Sequence, residues 1–93
     1  MKNKRIGVFS GTFDPVHFGH IEACRSAMEK CSLDRVYMLL EKSPRRKQKT
    51  ASAEQRFEMM ELATKETPSI IPVDIGVENI TTSNVLDFLK QYN

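Results

Sequence analysis

The stretch that narrows the possibilities for this chain furthest is Ile6-Gly7-Val8-Phe9-Ser10-Gly11-Thr12-Phe13-Asp14-Pro15-Val16-His17-Phe18-Gly19-His20. An apolar run gives way there to a turn and then to the start of a helix. The run Ile6-Gly7-Val8-Phe9 is short, mostly β-branched or aromatic, and bounded by Ser10-Gly11, which reads as a buried parallel strand. Gly11 is expected to let the backbone turn sharply, and Asp14-Pro15 disfavours helical angles before the proline, so the helix should start after it. His17 then stands near the helix start. The first N–H groups of a helix have no intrahelical acceptor and carry the positive end of its dipole, so an anion such as a triphosphate finds donors already oriented there. Gly19 is expected to leave the backbone open to close approach by a ligand. His17 and His20, three residues apart, should project from one side of the first turn.

Length and composition set the bounds. The chain has 93 residues, enough for one domain with a single core and too few for a second. Apolar residues make up 40% and charged residues 28%, as in ordinary soluble chains, and no run reaches membrane-spanning length. The basic start Met1-Lys2-Asn3-Lys4-Arg5 is followed by an apolar stretch cut by Ser10, Gly11 and Asp14, too short and polar for a secretory signal, so a cytoplasmic location is expected. A net charge of +2 argues against a polycation built for nucleic acid. Cys24 and Cys31 would lie about 10 Å apart along one helix, too far for a mutual disulfide, and both are expected to be reduced, packed thiols.

Along the rest of the chain, Ile21, Cys24, Met28 and Cys31 recur at helical spacing, and Val36-Tyr37-Met38-Leu39-Leu40 forms a second strand-length run. Strand, helix and strand within this span make a βαβ unit, whose ligands bind beyond the carboxyl ends of its strands. Residues 41–51 form a polar segment carrying Lys42, Arg45, Arg46, Lys47 and Lys49 around Pro44; it leaves from that same edge and has the charge to hold a phosphorylated ligand. Ser52-Ala53-Glu54-Gln55 fits a capping box, with Phe57, Met60, Leu62 and Ala63 as the apolar face of the helix that follows. Arg56, in its first turn, is of a type usually found on the surface of such a helix, and its position there also allows it to face a nucleotide. A third strand is expected over residues 69–75, and Pro72 confines it to an edge of the sheet. A last helix, capped within Thr81-Thr82-Ser83-Asn84, carries Val85, Leu86, Leu89 and Tyr92.

The ten residues from Gly11 to His20 closely resemble the signature of the nucleotidyltransferase superfamily that carries a His-x-Gly-His motif. The resemblance implies an α/β, Rossmann-like parallel sheet of order 3-2-1-4-5, of which residues 1–93, as one nucleotidyltransferase-like domain, supply 3-2-1. It implies ATP held by Gly11, Thr12, Phe13, Asp14, His17, Gly19 and His20; the polyanion's own chemistry calls for Mg²⁺ carried on the phosphates, and Asp14 alone makes a poor site, so no metal ligands are expected from the protein. His20 is then the main donor to the reacting phosphate, His17 its companion, and Thr12 lies between the two substrates. Within the superfamily the layout looks like the nicotinate (or nicotinamide) mononucleotide adenylyltransferases. Pro44-Arg45-Arg46-Lys47 stands where that family has Pro-Pro-His-Lys, and Thr82 where it has a Ser-Tyr-Thr turn. Arg46, Lys47, Thr82 and Thr12 are accordingly expected to hold the phosphorylated acceptor, nicotinate mononucleotide. Pantetheine-phosphate adenylyltransferases and cytidylyltransferases share the opening motif. Asn93 falls where the family's crossover to a fourth strand begins. The run Ile6-Gly7-Val8-Phe9 is therefore expected to lack a neighbour and to pair with another copy or a second polypeptide. On that view the chain has little activity alone, or is a non-catalytic module that binds nucleotide or a partner.

Overall fold

A computed structural model describes residues 4–42 and 51–92. The elements follow in the order β1 (Ile6–Gly11), α1 (Phe18–Cys31), β2 (Arg35–Leu40), α2 (Ala53–Ala63), β3 (Ile70–Val73) and α3 (Thr82–Tyr92). The three strands form one parallel sheet in the order β1-β2-β3, with Gly7 opposite Val36, Gly11 opposite Leu40, and Met38 opposite Pro72. Pro72 thus lies on an outer strand, where its missing N–H leaves no gap in a central ladder.

β2 is the middle strand. Residues 36–40 are all buried because both faces are covered, which explains an unbroken apolar run where alternation would mark a half-exposed strand. On one face Val36, Met38 and Leu40 pack with Phe13, Ile21 and Cys24 of the first crossover and Met60 of α2. On the other, Tyr37 and Leu39 pack with Phe88 of α3, and the Tyr37 and Phe88 rings meet edge to face at 5.0 Å. β1 sits at the edge and is half-buried rather than enclosed. α3 lies on the face opposite α1 and α2, as helices do in doubly wound sheets on either side of the point where strand order reverses.

Local chemistry sets the helix ends. Ser52 Oγ accepts from the Gln55 N–H at 3.1 Å while Gln55 Oε1 accepts from the Ser52 N–H at 3.0 Å, the reciprocal cap expected for α2. Thr81 Oγ1 likewise accepts from the Asn84 N–H at 3.2 Å ahead of α3. α1 ends at Ser32, left-handed at φ 55°.

The helix faces differ from expectation. In α2 the inward positions are Arg56 and Met60, four apart, so Leu62, two residues beyond Met60, points away and is 71% exposed. In α3 the inward residue is Phe88, and Leu86 is 54% exposed for the same geometric reason. Cys24 is buried, but Cys31, in the last turn of α1, is exposed, so only one of the two free thiols is packed. Because Leu39 is fully enclosed between α3 and the sheet, Leu39→Ala is expected to cost about 2–5 kcal/mol, the range for a truncated core leucine, measured as a lower urea midpoint with an unchanged slope.

Candidate active site

The carboxyl end of β1 carries the candidate site. Gly11 stays within the strand, paired with Leu40, and the sharp change of direction falls at Phe13, whose φ is 49°. The smallness of Gly11 serves packing: a Cβ there would stand 3.3 Å from the Phe13 ring. Phe13 is buried, and its ring meets Phe9 edge-on at 5.4 Å and His20 edge-on at 5.1 Å. Phe13 therefore forms the floor under the second histidine.

His17 is the N-cap of α1, a position usually filled by Ser, Thr, Asp or Asn. Its Nδ1 accepts from the Gly19 N–H at 3.0 Å, and His20 Nδ1 accepts from the His17 N–H at 2.9 Å. The two imidazoles form a capping box in place of the usual hydroxyl and carboxamide. Their ring centroids are 3.9 Å apart. A Cβ on Gly19 would fall 2.8 Å from His17 Cε1, so the space beside Gly19 is filled by the chain's own imidazole.

These bonds decide the chemistry of the rings. A nitrogen that accepts from a backbone N–H carries no proton, so each neutral imidazole keeps its proton on Nε2. The helix start thus presents two Nε2–H donors, locked in tautomer by the fold and set at the positive end of the helix dipole. Such a group suits an anion, and particularly one whose charge grows during a reaction. Burial, and secondarily the neighbouring His17, lower the pKa of His20 below the usual imidazole value of 6.5.

The other expected residues fall as follows. Thr12 is half-buried, and its carbonyl accepts from Arg56 at 2.9 Å. Asp14 is half-buried in the same loop. Thr82 is exposed at the first position of α3. That end of α3 is tied to the sheet edge through Glu41, whose N–H donates to the Gly11 carbonyl at 2.8 Å and whose carboxylate accepts from the Ile80 N–H at 2.8 Å. Arg46 and Lys47 lie outside the described residues. Lys42 is within 3.9 Å of Asp74, a half-exposed pair that contributes little to stability.

Arg56 departs most from expectation. It does not face the ligand edge as an open cation: it is 1% exposed, and its guanidinium donates to backbone carbonyls beneath the loop. The sequence held one hint, since no acidic residue stands three or four positions from Arg56 to serve as a helical ion-pair partner.

Protonating His20 would remove its Nδ1 as an acceptor and open the cap. With a folded pKa below the unfolded one, the unfolded chain binds more protons in the interval between them, so this group's stability contribution is complete above about pH 6.5 and is lost as pH falls through the folded value. Thermal melts between about pH 5 and 8 are expected to show this loss, and His20→Asn, which has no titrating ring, to flatten it.

The sequence profile of the cytidylyltransferase-like family matches residues 8–93. The probable nicotinate-nucleotide adenylyltransferase of Shewanella sediminis is 40% identical over 88 residues, covering 94% of this chain and 42% of that protein. That of Thermus thermophilus is 38% identical over 87 residues, covering 94% of this chain and 47% of that protein. The chain thus spans less than half the length of these curated relatives. Among solved structures, the Plasmodium falciparum nicotinic acid mononucleotide adenylyltransferase complexed with NaAD superposes with a TM-score of 0.76 at 15% identity, over 98% of this chain and 47% of that one. The parallel sheet with flanking helices is therefore a nucleotidyltransferase fold, and with the profile match extending from β1 to the end of the sequence, the chain belongs to the cytidylyltransferase-like family.

Proposed function

We propose that this chain carries the nucleotide-binding half of an adenylyltransferase that joins ATP to nicotinate mononucleotide. The observation that carries the reading is the pair of imidazoles whose Nδ1 atoms are taken up by the backbone, leaving two Nε2–H donors at the start of α1. The named relatives support the choice of substrates. An oxygen of the mononucleotide phosphate attacks the α-phosphorus of ATP; the new P–O bond forms as the bond to the β-phosphate oxygen breaks, and pyrophosphate leaves. His20 stabilises the charge growing on the α-phosphate, His17 assists, and Gly11, Thr12, Phe13, Asp14 and Gly19 shape the loop around the nucleotide. The protein contributes position and electrostatics. Arg46 and Lys47, with Thr12 and Thr82, hold the acceptor.

A divalent cation, Mg²⁺ in this reading, would arrive on the phosphates of ATP. Among the described residues no three His, Cys, Asp or Glu side chains gather into a metal site, so no step is assigned to the ion. Among those residues, too, no helix is long and apolar enough to cross a membrane, which accords with a location in the cytoplasm. Pairing along residues 6–9 belongs to the same proposal. Among the described strands β1 pairs only with β2, and a cavity of about 260 Å³ lined by Val8, Phe9, Ala23 and Ala27 runs beside it. Sedimentation at micromolar concentration is expected to show association, and a monomer at all concentrations refutes it.

Pyrophosphate release from ATP and nicotinate mononucleotide, measured in the enzyme completed with the remaining half of the fold, tests the reaction. His20→Asn keeps an acceptor where Nδ1 stands but lacks the Nε2–H, so it is expected to lose about 2.7–4 kcal/mol of transition-state stabilisation, roughly 10²–10³-fold in kcat. Turnover equal to the wild type removes His20 from the mechanism. Lys47→Ala is expected to raise the KM for the mononucleotide about tenfold or more, from loss of a charged hydrogen bond worth ~1.5–3 kcal/mol, while sparing that for ATP.

A further inference from the structure

Among the described residues Arg56 is the largest fully buried side chain and also a permanent cation. Among the described residues its hydrogen-bond partners are all neutral backbone carbonyls. Nη1 donates to Thr12 at 2.9 Å and Glu41 at 3.0 Å, Nη2 to Lys42 at 2.7 Å, and Nε to Ala51 at 3.3 Å. Four of the five N–H donors of the planar fork are thereby used. The carbonyls belong to three separate pieces of chain that meet at the carboxyl edge of the sheet: the β1–α1 loop, the exit from β2 and the entry to α2. Lysine, with a single point of donors, cannot span them. Anchoring the Thr12 carbonyl also fixes the plane of the Thr12–Phe13 peptide, and with it the turn that places Phe13 under His20.

We propose that Arg56 is a positioning residue for the transfer reaction, holding the Thr12 loop in register with the exit of β2 and the entry of α2, so that the phosphates on the two sides of the site meet in line. This rests on the adenylyl-transfer reading above. Its cost when lost is geometric: a misplacement of about 1 Å between reacting groups is enough to lower a rate roughly 100-fold.

The test compares Arg56→Lys with Thr64→Val in the full chain. Thr64 lies beyond the other end of α2, where its hydroxyl donates to the Met60 carbonyl at 2.8 Å, so its loss removes a buried hydrogen bond away from the site. Arg56→Lys is expected to lower kcat for pyrophosphate release about 100-fold with the KM for ATP within about threefold, and to move the backbone amide resonances of residues 11–20. Thr64→Val is expected to lower the melting temperature without either change. Should Arg56→Lys not fold, Arg56→Gln, which keeps amide donors, is measured in the same way. Equal kcat in the Arg56 and Thr64 variants, once matched for melting temperature, overturns the proposal. If the enzyme completed with the remaining half of the fold shows no turnover without any substitution, the transfer reading is refuted instead; the amide resonances then decide, and unmoved resonances at residues 11–20 in the Arg56 variant overturn the positioning role.

Discussion

A guanidinium enclosed by four carbonyl oxygens ties this fold together at its working edge. Removing a charge from water costs several kcal/mol, and a buried cation is ordinarily matched by a carboxylate. Here the return comes from charge-assisted hydrogen bonds of ~1.5–3 kcal/mol each, made to backbone carbonyls at the carboxyl edge of the sheet. The parallel sheet creates the need for such a device. Strands that leave the sheet side by side, each feeding a loop and then a helix, expose unpaired carbonyls just where the loops must be held still. A cation with a rigid fork supplies donors to several of them at once, without spending a carboxylate that would repel an anionic ligand.

A second economy operates in the first turn of α1. The residues that cap the helix are the ones offered to a ligand, because each imidazole has two nitrogens and the cap uses only one. With Nδ1 taken by a backbone N–H, the proton must reside on Nε2, so the act of starting the helix also sets the tautomer. The bond to its Nδ1 favours the neutral ring of His20, in keeping with its lowered pKa, and the two rings, 3.9 Å apart, are too close to be charged together at little cost. Gly19 and Phe13 then become packing requirements of this arrangement: one leaves room for the His17 ring, the other supports His20 from below.

Parts of the structure governed by adjacent residues were open to reading from the sequence alone. The strand–turn–helix at residues 6–20, the caps at Ser52 and Thr81, the enclosed run at residues 36–40 and the outer position of Pro72 all follow from backbone chemistry or short-range periodicity. The resemblance to a family, carried by residues 11–20, was legible for the same reason, since its glycines, proline and histidines lie within ten consecutive residues. Where periodicity was weak, the reading failed. α2 and α3 each contain more apolar residues than one face can hold: Leu62, expected on the apolar face of α2, is exposed, and so is Leu86 of α3, because only packing against the sheet selects the face.

What the sequence by itself determined, then, is the order of elements, their parallel pairing and the presence of paired histidines at a helix start. Only the tertiary structure decided what those histidines do with each nitrogen, which residue takes the left-handed turn, and where Arg56 goes. The reason is distance along the chain: the partners of Arg56 include Thr12, 44 positions away, and Glu41, 15 away, and no local pattern encodes which carbonyls the sheet will gather around one side chain.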